Sequence, residues 1–463
     1  MAADGSQLTR DAHALKAQGR LDDAIALYRQ ALAVSGSAVA EHNLAGALGD
    51  AGRWREAEPH LRQSFAKGND APETWLVLAR CLQGLGRLDE SDAAFREALK
   101  RRPHYADAHR ELAQLRWMRM GDFAAATSDL DAALRAAPRD PGLIIVKASA
   151  LEFAGRLHEA HALLDTLAAA NPGDAYLLTL AAQAAVNLGK PDLALPRAEA
   201  AARLAPSELV PRITLIETLL ASGDAQRASH LAEQLRISAP DNQHAIALQA
   251  TAWRLLGDPR YRTLHDYDAL VWSSLIDTPA GWPNLPAYLA DLAAALRATH
   301  AYREHPFNQS LRHGSQAADL LHHPHPAVQA LQQALDGPIR RRIAELGSGP
   351  DPLRARNRGG YAHQGMWSVR LNPNGFHIDH VHPKGWLSSA CYIETVKGDG
   401  REGWIKFGQP GVKTRPSLDA EHWVKPEPGL LVLFPSYMWH GTVPFTGDQS
   451  RLTVAFDLAP AAD

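Results

Sequence analysis

The sequence predicts a multidomain α + β protein, an all-α array of stacked helical hairpins followed by a jelly roll of short β-strands. Three observations predict it. Glycines recur at Gly19, Gly52, Gly86, Gly121, Gly155, Gly189, Gly223 and Gly257, at spacings of 33 to 35 residues. A second series, Pro103, Pro138, Pro172, Pro206 and Pro240, runs in step at 34 or 35. After Tyr361 the texture changes to short apolar runs separated by turn residues, in a chain of 463 residues that exceeds what one hydrophobic core usually serves.

The unit around Gly86 shows why its positions are filled as they are. Trp75, Leu78 and Leu82 fall on one face of a first helix, with small Ala79 beside them where helices approach closely. Gly86 supplies the turn, a second helix turns Ser91, Phe95 and Ala98 inward, and Pro103 ends the unit. Ala24, Tyr28 and Ala31 are the cognate positions of the first repeat; Ala126, Leu130 and Ala133 are those of the fourth. Period and pattern resemble tetratricopeptide repeats from about residue 6 to 260, which implies a superhelix whose concave surface binds a peptide or protein segment. A scaffold or dimerisation arm without a substrate role is the alternative.

The array is expected to stop after Gly257-Asp258-Pro259. Between Leu264 and Arg297 two short apolar segments flank Thr278–Pro283, whose prolines and glycine punctuate the chain. His322, His323 and His325 alternate with prolines and read as a loop entering a helix over 327–346, not as a metal site. The expected division is a repeat array at 1–260, a helical lead-in at 261–345 and a β domain at 346–463.

Strands are expected at Met366–Leu371, Leu387–Ile393, Gly403–Phe407, Leu430–Phe434 and Arg451–Phe456, with turns at Asn372–Gly375, Lys397–Gly400 and Pro426–Gly429. Such strands indicate a sandwich or jelly roll. Within it lie His377-Ile-Asp379-His380-Val-His382-Pro383 and, much later, His440 and Arg451. A short-range ligand pair, a distant third histidine and a downstream arginine are the parts of a three-ligand iron site beside an anion anchor. Trp386, Trp404, Trp423 and Trp439 read as core or pocket wall, and Cys391 as a buried strand residue.

The run Pro428–Pro435, then His440 and, eleven residues on, Arg451, resembles the end of the double-stranded β-helix of 2-oxoglutarate/Fe(II)-dependent oxygenases, over about residues 360–458. The resemblance implies Fe(II) held by His440 and an upstream pair, and 2-oxoglutarate held by Arg451 with the Tyr392 hydroxyl as a further donor. His377 and Asp379 form a literal H-x-D and supply a carboxylate. His380 and His382, followed by Pro383, Leu387-Ser388 and Tyr392, are closer to an oxygenase subfamily reading H-x-H-P, and to aspartyl/asparaginyl β-hydroxylases, which dispense with the carboxylate. The likeness favours His380 and His382, with His377 and Asp379 as the rival pair. In a regular strand the two pairs would face oppositely.

Composition excludes several classes. Hydrophobic content of 46%, charged content of 21% and a net charge of -3 give no global field for nucleic acid or an anionic membrane. No run of apolar residues is long enough to span a bilayer, no leader is visible, and two distant cysteines, Cys81 and Cys391, fit a reducing compartment, so a cytoplasmic protein is expected. The combined expectation is an Fe(II)- and 2-oxoglutarate-dependent hydroxylase of a peptide or protein side chain, recruited by the repeats. Aspartyl/asparaginyl and some prolyl hydroxylases join such parts in similar order. Two rivals stand: a non-catalytic adaptor with a degenerate β domain, and a cupin-like dioxygenase with three histidines and no keto acid. The sequence does not fix the oligomeric state.

Overall fold

The computed structural model describes residues 4–307, 309–398 and 400–461. Its contacts divide into two compact units, one up to Ser149 and one from Ala150 onward.

The first unit is built of antiparallel helix pairs, from Gly5–Ala17 with Leu21–Ser35 to Ala106–Met120 with Phe123–Ala136. Each first helix ends on one of the periodic glycines, and Gly19, Gly52, Gly86 and Gly121 all hold φ between 71° and 78°. A side chain there is strained, which is why the series is glycine. The residue after the glycine then donates its N–H back to the closing turn, as Arg53 does to Leu48 and Arg87 to Leu82. Ala24, Tyr28, Ala31, Leu78, Ala79, Leu82, Phe95, Ala98, Ala126 and Leu130 are buried as the pattern requires. The Ser91 hydroxyl donates to the Ala79 carbonyl at 2.7 Å, tying the two helices of one repeat.

The second unit opens with further pairs, Leu157–Ala170, Ala175–Asn187, Pro191–Leu204, Leu209–Ser222, Ala225–Ser238 and Gln243–Leu256. Gly155, Gly189, Gly223 and Gly257 keep positive φ. These helices close on the β domain: buried Leu215, Leu219, Ala247 and Leu248 form one cluster with Trp439, and Val381 and Val412 pack against it. Main-chain bonds reinforce the contact, from Gln243 N–H to the Pro383 carbonyl and from Arg415 N–H to that of Leu220, both 3.1 Å.

The β domain has a six-stranded antiparallel sheet in the order β1-β7-β4-β9-β3-β2 and a three-stranded sheet β6-β5-β8. Its strands are β1 (Trp272–Leu275), β2 (Leu311–Ala317), β3 (Tyr361–His377), β4 (Leu387–Glu394), β5 (Ile405–Phe407), β6 (His422–Val424), β7 (Leu430–Pro435), β8 (His440–Thr442) and β9 (Arg451–Pro460). Helices Leu285–Thr299 and Pro326–Leu346 join the core of the larger sheet through Tyr288, Leu292, Leu331 and Leu335.

Two expectations differ from the structure. The stretch 261–345 is not wholly helical, since β1 and β2 form the two edges of the larger sheet, pairing with β7 and β3. β1 has only four residues, and both strands pair with partners far along the chain, so no local period announces them. Asn372–Gly375 does not separate two strands but lies inside β3, where Asn374 takes a left-handed φ of 65° and the register against β2 shifts. In the expected turn at Lys397–Gly400, Asp399 lies outside the described residues.

Candidate metal centre

β3 ends at His377, and the next five residues are irregular apart from one bridge, His380 with His440. Two main-chain bonds make it: His380 N–H to the His440 carbonyl at 2.9 Å, and His440 N–H to the His380 carbonyl at 3.1 Å. His382 is held separately, by its N–H on the Ser436 carbonyl at 3.0 Å. Since the segment is not a regular strand, strict alternation does not apply.

His380, His382 and His440 converge, with one ring nitrogen from each within 4.8 Å of the others. The hydrogen bonds on the far sides of the rings fix their protons. His380 Nδ1 lies 2.8 Å from the Ile378 carbonyl and His440 Nδ1 3.0 Å from the Met438 carbonyl. A carbonyl only accepts, so each Nδ1 carries the hydrogen and each Nε2 is left with a bare lone pair. His382 Nδ1 donates to the Asp457 carboxylate at 2.7 Å, which leaves its Nε2 bare as well, 3.3 Å from that of His380. Converging lone pairs repel one another unless a cation sits among them. Burial, reinforced by neighbouring imidazoles, pushes His380 down to about 3 and His440 well below its ordinary value. His380 and His440 therefore stay neutral, each with a lone pair facing the cluster.

The rival pair does not join this cluster. Asp379 turns to Lys406, whose ammonium lies 2.9 Å from its Oδ2, and burial raises its carboxyl pKa. His377 bonds through Nδ1 to the Ser310 hydroxyl at 2.9 Å, and its ring stacks beside His380 at 6.0 Å.

Sequence reasoning missed Asp457. Its Oδ2 accepts from His382 and its Oδ1 from the Ser388 hydroxyl at 2.7 Å, and Ser388 in turn contacts the Ser436 hydroxyl at 2.8 Å. Ser388 and Asp457 are paired residues of β4 and β9, which is what brings them together. A usable signal existed. Arg451, Thr453, Ala455 and Asp457 share one face of β9 at a period of two, and all line the cavity.

Arg451 is buried at the start of β9, with its guanidinium 4.9 Å over the Tyr392 ring and one Nη donating to the Thr442 hydroxyl at 3.3 Å. Its Nε and the Tyr392 hydroxyl are both buried, and neither has a partner of good hydrogen-bond geometry among the described residues, although the two groups face and attract each other. Burial lowers the guanidinium pKa and raises the phenol's. Two orphaned donors side by side fit a carboxylate that satisfies both. The cavity against Arg451 measures about 1200 Å³ and is lined by His380, His382, His440 and Arg451, with Trp367 stacked on His382 at 5.9 Å. Among the described residues, the His322–His325 run joins no candidate metal cluster, and His322 pairs with Asp319 at 2.8 Å.

Fold and site together define a class: tetratricopeptide repeats followed by an antiparallel β domain with a three-histidine centre. Residues 365–457 match the family described as "Putative 2OG-Fe(II) oxygenase", and residues 12–42, 48–115 and 118–184 match tetratricopeptide repeat families. No curated protein matches. Solved structures similar to the chain include a tetratricopeptide repeat protein from Parabacteroides merdae (16% identity, 54% of this chain and 98% of that one, TM-score 0.37). Yeast Tom70 is another (16% identity, 55% of each chain, TM-score 0.41), as is PilW, a type IV pilus biogenesis factor (21% identity, 44% of this chain and 94% of that one, TM-score 0.35). Among the described residues no helix is long and apolar enough to cross a membrane.

Proposed function

We propose that the chain is a cytoplasmic 2-oxoglutarate- and Fe(II)-dependent oxygenase that hydroxylates a side chain of a peptide or protein, with the repeats, expected over 1–260, taking part in its recognition. The observation that carries this is the convergence of three bare Nε2 lone pairs beside an orphaned arginine–tyrosine pair. His380, His382 and His440 would hold the iron, leaving positions free for a chelating keto acid and for oxygen. Arg451 and Tyr392 would receive the far carboxylate of 2-oxoglutarate. Bound together, iron and keto acid supply the oxidant: O2 is reduced, 2-oxoglutarate becomes succinate and carbon dioxide, and one oxygen atom enters a substrate C–H bond.

The chain's own residues do the rest. Asp457 keeps the proton on His382 Nδ1 and sets that ring's plane, while the Ile378 and Met438 carbonyls do the same for His380 and His440. Phe434, packed 4.5 Å from the His440 ring, and the Trp367 ring on His382 limit water around the ligands. Buried Arg451 meets its anion in a low-dielectric site, where a charge-assisted pair is strong.

The test is succinate formation from 2-oxoglutarate by purified protein supplied with Fe(II), ascorbate and candidate peptides. Wild type is expected to turn over well above a His440→Ala variant, and equal rates would overturn the reading. A three-histidine dioxygenase without a keto acid is the second reading, favoured by the absence of Asp379 from the cluster. It predicts that Arg451→Ala leaves turnover, and its indifference to 2-oxoglutarate, unchanged.

A further inference from the structure

The cavity at the three histidines is larger than a small substrate requires, about 1200 Å³ against roughly 300–1,000 Å³ for ordinary ligand pockets. Its lining is not confined to the β domain. Glu152 and Phe153, at the end of helix Pro141–Phe153, and Asn187, at the end of helix Ala175–Asn187, line it together with β2 and Trp367. The repeats thus shape the groove itself.

The charges on these walls are unmatched. Arg312 of β2 pairs with Phe376 of β3, one residue before His377 at the end of the strand that leads into the histidine cluster, and it lines the cavity. One Nη donates to the carbonyls of Gln309 and Leu311 at 2.6 and 2.8 Å, and the group lies 5.3 Å from the Phe153 ring. It is fixed in place, half-buried, and its remaining N–H groups meet no carboxylate among the described residues. Burial alone lowers its pKa, as expected of a cation without an acidic neighbour. Lys384 and Lys413, also on the groove, have no ion-pair partner among the described residues. Against these three cations, among the described residues of the lining, stands one carboxyl without an ion-pair partner, Glu152, which accepts from the Asn187 amide at 3.2 Å. Asp457 is committed to His382, and Arg451 is set aside for the cosubstrate. The protein as a whole is slightly acidic, so the excess of positive charge belongs to the groove.

We propose that the groove binds an extended, acidic polypeptide segment, with Arg312 as the specificity-determining residue that reads a substrate carboxylate. A fixed planar guanidinium suits a carboxylate bidentately. Glu152 and Asn187, which line the same groove, offer acceptor and donor to a peptide main chain. The inference rests on the oxygenase reading for the chemistry that follows binding, but not for the binding itself.

The experiment measures binding of fluorescein-labelled peptides of equal length, with acidic, neutral or basic centres, to the full-length protein by fluorescence anisotropy. The acidic series should bind about tenfold more tightly than the basic one at low salt, and the difference should shrink as salt screens it. Arg312→Glu should reverse the preference and Arg312→Gln abolish it. Glu152→Gln, which removes the opposing charge, should retain the preference for acid. Circular dichroism and thermal melts establish that each variant is folded. Equal binding of all three series, a preference for basic peptides, or an acid preference that survives in folded Arg312→Glu each overturns the proposal. The two readings fail separately. Uncoupled consumption of 2-oxoglutarate without charge-dependent binding removes the groove assignment alone; charge-dependent binding with no consumption of 2-oxoglutarate removes the oxygenase assignment alone.

Discussion

Asp457 is the residue on which the candidate centre turns. A ferrous site usually includes a carboxylate ligand, and the nearest carboxylate in sequence, Asp379, is spent on Lys406. Asp457 places its negative charge 2.7 Å behind His382 instead, making that imidazole a more basic ligand. Asp457→Asn keeps the size of the side chain and removes the charge. It should weaken binding of Fe(II), or of Co(II) as a spectroscopic substitute, by about 10–100-fold in a chelator competition. An affinity equal to wild type would mean that the carboxylate only fills space. His440 and Arg451 were legible in the sequence by their spacing behind an apolar run. Between the upstream pairs only the family likeness favoured His380 and His382; the residues alone left the choice open, because it depended on where β3 ends, and the irregular path from Ile378 to His382 is fixed by bonds to Ser310, Ser436 and His440, far away in the chain.

At the scale of elements, the last repeat helices do more than cap an array. Trp439, which immediately precedes His440, is 4% exposed, and its indole N–H donates to the Thr251 hydroxyl at 2.9 Å from helix Gln243–Leu256. Val381, between the two upstream histidines, packs against the same helical cluster. Both ligand-bearing segments therefore lean on the repeats. Trp439→Ala should cost about 3–5 kcal/mol in urea unfolding, and where the variant remains folded it should also lower metal affinity, because the His380–His440 bridge loses its backing. Metal affinity unchanged in a folded variant would confine Trp439 to stability. The repeats themselves were readable because one glycine per hairpin must hold positive φ, a demand the sequence states in every unit. β1, β6 and β8, of three or four residues, were not, since each exists only through a partner strand distant in sequence.

For the molecule as a whole, the contacts divide near residue 150, inside what the repeat pattern alone presents as one array. The described residues that line the histidine cavity all follow Ser149, and so do those that pack on Trp439. A chain beginning at Asp140, whose side chain accepts from Leu143 N–H at the head of helix Pro141–Phe153, keeps every one of them. That chain should fold cooperatively and bind Co(II) with wild-type affinity. A chain beginning at Arg260 loses the cluster around Trp439, exposing a side chain whose burial is worth about 4 kcal/mol at 25 cal/mol per Å². It also loses the Gln243 and Arg254 bonds to the Pro383 and Gly408 carbonyls. It should bind metal weakly or aggregate, as judged by equilibrium dialysis and size-exclusion chromatography. Equal metal affinity in the two chains would show that the β domain organises its own centre and that the repeats contribute only recognition.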